Sequence, residues 1–191
     1  TTPSYAAIKY CVETLRLDVF VLIRPRSGNF CYNELEIETM AEDVRTCKTL
    51  GVAGIVVGFL TPDGHIDTAL TRRFVELAHP LPVTFHRAFD RVPDWKNSLE
   101  EVIDCGCARI LTSGCRPSVE EGIGELRQIV AQAGTRITIL AGGGVTPSNV
   151  KHLIQETGVQ EVHASCKHTM PGGYNETDSA IVKELIAQIT L

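Results

Sequence analysis

Histidine, arginine and aspartate fall together where one short apolar run stops. In residues 81–91 (LPVTFHRAFDR) a β-branched and aromatic stretch ends at His86, Arg87 and Asp90. A histidine beside a carboxylate can act as general acid or base, and a neutral imidazole can hold a transition metal. A hydrogen-bonded structural histidine fits the same pattern. His163, in the apolar run EVHAS, is a second candidate for proton transfer. Arg24 and Arg26 flank Pro25, so two guanidiniums can meet and take a carboxylate or phosphate, or clamp neighbouring acids. Gly142, Gly143 and Gly144 precede a helix start, where backbone N–H groups can cradle an anion. A tight turn would need the same glycines. Arg87, Ser113 and Ser165 complete the candidate ligand-binding set. Cys115 is the candidate metal ligand, because thiolate with imidazole suits Cu(I) better than Mg²⁺ or Ca²⁺. No HxH, HxxH or CxxC spacing reinforces it.

These residues must be positioned by the elements around them. Residues 18–23 (DVFVLI), 54–60 (GIVVGFL), 81–86, 109–112, 137–141 and 161–165 read as six strands, several of them continuous apolar runs of the kind buried on both faces. Helical spacing fills the intervals. A capped stripe of Ala7, Ile8, Cys11, Val12 and Leu15 comes first, and Ile37, Met40, Ala41, Val44 and Cys47 follow until Gly51. Leu70, Phe74 and Leu77 mark the next helix; Trp95, Leu99, Val102 and Ile103 mark another behind an Asp94 cap. Ser118 with Glu121 predicts a capping box for a helix through Val130. Thr146 and Pro147 open a helix with Val150, Leu153 and Ile154, and Ile181, Val182, Leu185 and Ile189 lie on the last. Residues 169–177 read as a loop.

Strand and helix thus alternate six times, which predicts one α/β domain over residues 1–191 with a parallel sheet. Similar strand-to-helix spacing throughout favours a TIM-type (β/α)8 barrel over an open doubly wound sheet. Thr2-Pro3-Ser4 repeats Thr146-Pro147-Ser148, which joins a strand to its helix. An eight-stranded closure therefore predicts two further strands ahead of residue 1. The helix-to-strand links are short and chemically plain, whereas the strand-to-helix links hold the candidates named above. In a parallel barrel these meet at the C-terminal rim, where such folds place their sites.

Composition narrows the partners. A net charge of −5, with acids and bases interspersed, offers no basic stripe for nucleic acid and no polybasic anchor for a membrane. No apolar run approaches the about 20 residues that span a bilayer. Seven cysteines without a CxxC pair predict reduced thiols and a cytoplasmic protein. Cys105 and Cys107 form a CxC pair that could hold a soft metal or simply pack at a helix end.

The segments VLIRPRSGNFCY, GFLTPDGHID, LPVTFHRAFD, RILTSGC, ILAGGGV and EVHAS, in this order and spacing, closely resemble the CutC family of copper homeostasis proteins. The resemblance spans residues 1 to about 170. It implies a TIM-type barrel, a cytosolic setting, a part in copper handling or tolerance with Cu(I) as the metal, and a homo-oligomer, often a dimer. In the family pattern two strands precede the TTPS turn, and cysteines proposed to hold copper in some members lie at their ends. The residues themselves also support a barrel enzyme acting on an anionic or phosphorylated small molecule. There Arg24, Arg26 and the glycine loop would hold the anion while His86 or Asp90 moves a proton.

Overall fold

The computed structural model describes residues 1–189. The chain forms two compact units, Thr1–Ile110 and Leu111–Leu191. Both are mixed α/β structures with parallel strands.

In the first unit, Ser4 caps α1 (Tyr5–Lys9) by accepting from the Ala7 N–H, and the chain continues as a π-helical turn, Tyr10–Thr14. The predicted apolar stripe is not buried as one face. Ile8 is covered, but Leu15 and neighbouring Tyr5, Tyr10 and Leu17 are exposed. The wider π turn takes these side chains off the line that a 3.6-residue period draws.

β1 (Phe20–Leu22) leads to α2 (Glu34–Leu50), which is fixed at both ends. Asn33 and Glu36 form a reciprocal capping box, and Gly51 ends the helix in the left-handed region with φ of 70°. β2 (Gly54–Val57), α3 (Thr68–Ala78), β3 (Val83–Phe85), a 3-10 turn (Phe89–Arg91), α4 (Trp95–Asp104) and β4 (Arg109–Thr112) follow. β1 pairs with β2, β2 with β3, and β3 with β4, all parallel. β4 matches its predicted run, β2 stops three residues short of its run, and β1 and β3 are shorter than theirs at both ends. All three residues of β3 are buried, as a strand covered on both faces requires. Phe59, Phe74, Phe85, Phe89 and Leu99 are fully buried in this unit's core.

In the second unit, α5 (Ile123–Ala133) is followed by β5 (Thr138–Gly142), α6 (Val150–Thr157) and β6 (Glu161–His163), with β5 and β6 parallel. The Ser118–Glu121 pair does form, with the Glu121 N–H donating to Ser118 Oγ at 3.3 Å. It lies in a separate turn ahead of α5, whose N-cap is Gly122. A side chain at Gly122 would overlap the Ser113 carbonyl, so this close backbone approach sets where the helix begins. Residues 169–177 are not simply a loop. They close a hairpin of β7 (Lys167–Thr169) and β8 (Asn175–Thr177) around Gly172 and Gly173. Both strands are exposed along their length, which removes the alternation that would have announced them. α7 (Ser179–Ile189) closes the described chain. No helix among the described residues is long and apolar enough to cross a membrane.

Candidate functional site

In the first unit the segment after β1 folds back on its own two arginines. Arg26 donates from Nε to Glu36 at 2.6 Å and from Nη2 to the Cys31 carbonyl at 2.7 Å, and also reaches the Ser27 and Asn29 carbonyls. Arg24 donates to the Gly28 carbonyl at 2.8 Å. Each guanidinium also lies over the aromatic ring six residues further on. Arg24 sits 4.7 Å from the Phe30 centroid and Arg26 sits 5.2 Å from that of Tyr32. The loop is therefore held by charge-assisted hydrogen bonds to its own carbonyls, with Glu36 anchoring it to the start of α2. The Glu36 carboxyl lies below its usual range, chiefly through the Arg26 hydrogen bond.

His86 follows β3 and is buried. Its backbone N–H donates to Val57, and its Nδ1 accepts from the Ala88 N–H at 3.1 Å. The ring rests against Gly58, where any Cβ would overlap it, and against Phe30 with centroids 4.9 Å apart. Burial first, and the Arg24 charge second, push His86 down to about 4. Its Nε2 is buried with no hydrogen-bond partner, and Arg24 Nε and the Tyr32 hydroxyl are in the same condition. Burial raises the Tyr32 phenol above its usual range. Arg24 stands close enough to oppose that rise, although the hydroxyl makes no hydrogen bond of good geometry.

A cleft of about 740 Å³ opens beside this group. Arg24, Phe30, Cys31, Thr61 and Arg91 line it, and no carboxylate does. Arg87 and Asp90 pair with each other at 2.6 Å, and the Asp90 carboxylate is almost fully buried in that contact. The charge acting on His86 is thus Arg24 rather than Asp90.

The second unit holds the other candidates. Ser113 donates to the Arg116 carbonyl at 2.5 Å, and Cys115 sits at φ of 58° with its thiol partly open. Gly142 ends β5 against His163, which is exposed at the end of β6 although partial desolvation of its ring holds the imidazole below its usual range. Gly143 and Gly144 have φ of 114° and 87°. Their carbonyls accept from the Val119 N–H and from Asn149 Nδ2, while Asn149 Oδ1 accepts from the Thr146 N–H. Ser165 is exposed, and its carbonyl accepts from Thr177. Phe30, Tyr32, Arg91 and Asn149 did not stand out in the sequence. The signals were present, as aromatics six residues after each arginine and an asparagine three after Thr146.

The CutC family model matches residues 1–168. The chain belongs to the CutC family. It is 41% identical over 181 residues to the mouse "Copper homeostasis protein cutC homolog", covering 95% of this chain and 66% of that protein. The chain therefore spans 66% of the length of that relative. The crystal structure of CutC from Streptococcus agalactiae matches with a TM-score of 0.82 at 40% identity, over 85% of this chain and 81% of that one. An aldolase matches at 14% identity with a TM-score of 0.65, over 83% of this chain and 73% of that one, a likeness of fold alone.

Among the described residues no three His, Cys, Asp or Glu side chains come together as a metal site. Cys47 is pushed up to about 11 and Cys107 to about 12 by burial, so neither is a ready thiolate. The described residues thus form no chelate of three or more such donors.

Proposed function

We propose that this chain serves the copper-homeostasis role named for its relatives, on a TIM-type barrel scaffold, and that its own chemistry is to bind a small anionic molecule in the cleft of the first unit. The observation that carries the second part is the lining of that cleft, with Arg24 and Arg91 and no carboxylate. Arg91 is exposed and ion-paired to no described residue, which leaves its guanidinium available. Binding rather than proton transfer is favoured because His86 is neutral well below pH 7 and Asp90 is engaged with Arg87.

Calorimetric titration with phosphate, citrate and malonate tests this. At least one should bind, more weakly as salt is raised, and Arg91→Ala should weaken it by about tenfold, the worth of one charge-assisted hydrogen bond. Arg91 is exposed, so the melting temperature of that variant should stay unchanged. Absence of binding to every anion would remove this reading.

A second reading, direct Cu(I) binding at Cys115, is supported by the partial opening of that thiol while Cys47, Cys105, Cys107 and Cys166 are buried. Titration of reduced protein against a chromophoric Cu(I) chelator tests it, and an unchanged affinity in Cys115→Ser would sink it. None of the seven cysteines is in a disulfide among the described residues, which supports the cytoplasmic setting. The exposed Tyr5, Tyr10, Leu15 and Leu17 support self-association, to be checked by sedimentation over a range of concentrations.

A further inference from the structure

We infer that His86 is a neutral hydrogen-bond donor through Nε2–H, and that with Arg24 Nε–H and the Tyr32 hydroxyl it forms a three-point seat for the oxygens of a carboxylate or phosphate group. The inference rests on the anion-binding reading above and assigns its inner contacts.

A neutral imidazole carries one ring proton. Nδ1 of His86 faces the Ala88 N–H at 3.1 Å, so Nδ1 supplies the lone pair and the proton is on Nε2. The other tautomer would set two hydrogens against each other in that contact. Nε2 thus presents an N–H, buried and unpartnered. Arg24 Nε is donor-only and also unpartnered, and the Tyr32 hydroxyl can turn its hydrogen toward an acceptor. The three side chains are neighbours: Arg24 lies over Phe30, which also packs against His86, and its charge acts on both His86 and Tyr32.

Two donor-only groups, His86 Nε2–H and Arg24 Nε–H, beside a hydroxyl that can also donate, call for a ligand that brings lone pairs, as an oxyanion does and an ammonium group does not. The same arrangement disfavours a metal at His86, because Nε2 would have to lose its proton and Nδ1 would then oppose the Ala88 N–H. Phe30 and Arg24 both line the cleft, and the Phe30 ring packs at a tilt against His86.

The test is long-range ¹H–¹⁵N spectroscopy on the whole chain with labelled histidine. His86 should show a protonated Nε2 and an unprotonated Nδ1, unchanged from about pH 5.5 to about pH 8. Saturating malonate or phosphate should shift the Nε2–H resonance, and whichever anion does so identifies the source. His86→Gln, whose amide can place a donor near the Nε2 position, should keep calorimetric affinity within about threefold, while His86→Phe should lose about tenfold or more. An Nδ1–H tautomer, a titration within that pH range, or equal losses in both variants would overturn the seat. If calorimetry detects an anion but Nε2–H does not move, the seat alone fails; if no anion binds, the anion-binding reading fails with it.

Discussion

His86 couples the site to stability. The unfolded side chain takes up a proton near pH 6.5, whereas the folded one refuses it down to about 4, because burial and the Arg24 charge both oppose the imidazolium. Between those values the unfolded chain binds more protons, so the folded state weakens as pH falls from about 6.5 and the loss is complete near 4. A depression of that size corresponds to on the order of 3 kcal/mol. Urea unfolding of the native chain should therefore show a midpoint falling steadily over this window, and His86→Gln should flatten it. Equal slopes in the two proteins would show that His86 is not the titrating group. Glu36 acts in the same direction but lower. Its carboxyl is held down by Arg26 and the Asn33 N–H, so its contribution is present above its unfolded pKa and is lost as pH falls through the folded one.

The segments that hold these groups can be tested one contact at a time. Gly58 lies against the His86 ring so closely that Gly58→Ala must displace it or shift β2. Overpacking of this kind costs about 1–3 kcal/mol, and the displaced imidazole should also weaken anion binding. Thermal melting and calorimetry on that variant would separate the two effects. Asn33→Ala removes the cap of α2, at about 1 kcal/mol, and frees the Glu36 end that anchors Arg26. Local signals of this sort were legible in the sequence. Gly51 as a stop, Asp94 as a cap and the doubly buried β3 all depend on residues within a few positions of one another. The arginine–aromatic pairs of residues 24–32 had a spacing in the sequence but no visible contact, because the contacts exist only once the loop has turned back. Arg26 reads from the sequence either as a ligand-binding group or as a clamp on neighbouring acids, and the fold gives it a carboxylate and three loop carbonyls.

Across the whole chain, the strand-to-helix links were recognisable as carriers of polar residues. Which of those residues keep unsatisfied groups was not, since that depends on packing rather than composition. The cysteines show the same division. By sequence all seven are reduced thiols, but Cys47, Cys105, Cys107 and Cys166 are buried while Cys11, Cys31 and Cys115 are partly open. At pH 8 the thiolate fraction is about one in a thousand for Cys47 and about one in ten thousand for Cys107, from values near 11 and 12. Brief alkylation of the native protein should therefore label Cys11, Cys31 and Cys115, with the other four reacting only after urea unfolding, as read by peptide mass spectrometry. Any Cu(I) taken up by the folded chain would be confined to the same three thiols. Bound anion should slow Cys31 alone, because Cys31 lines the cleft and the other two are not among its lining residues. Protection of Cys115 by the anion instead would move the binding site to the second unit.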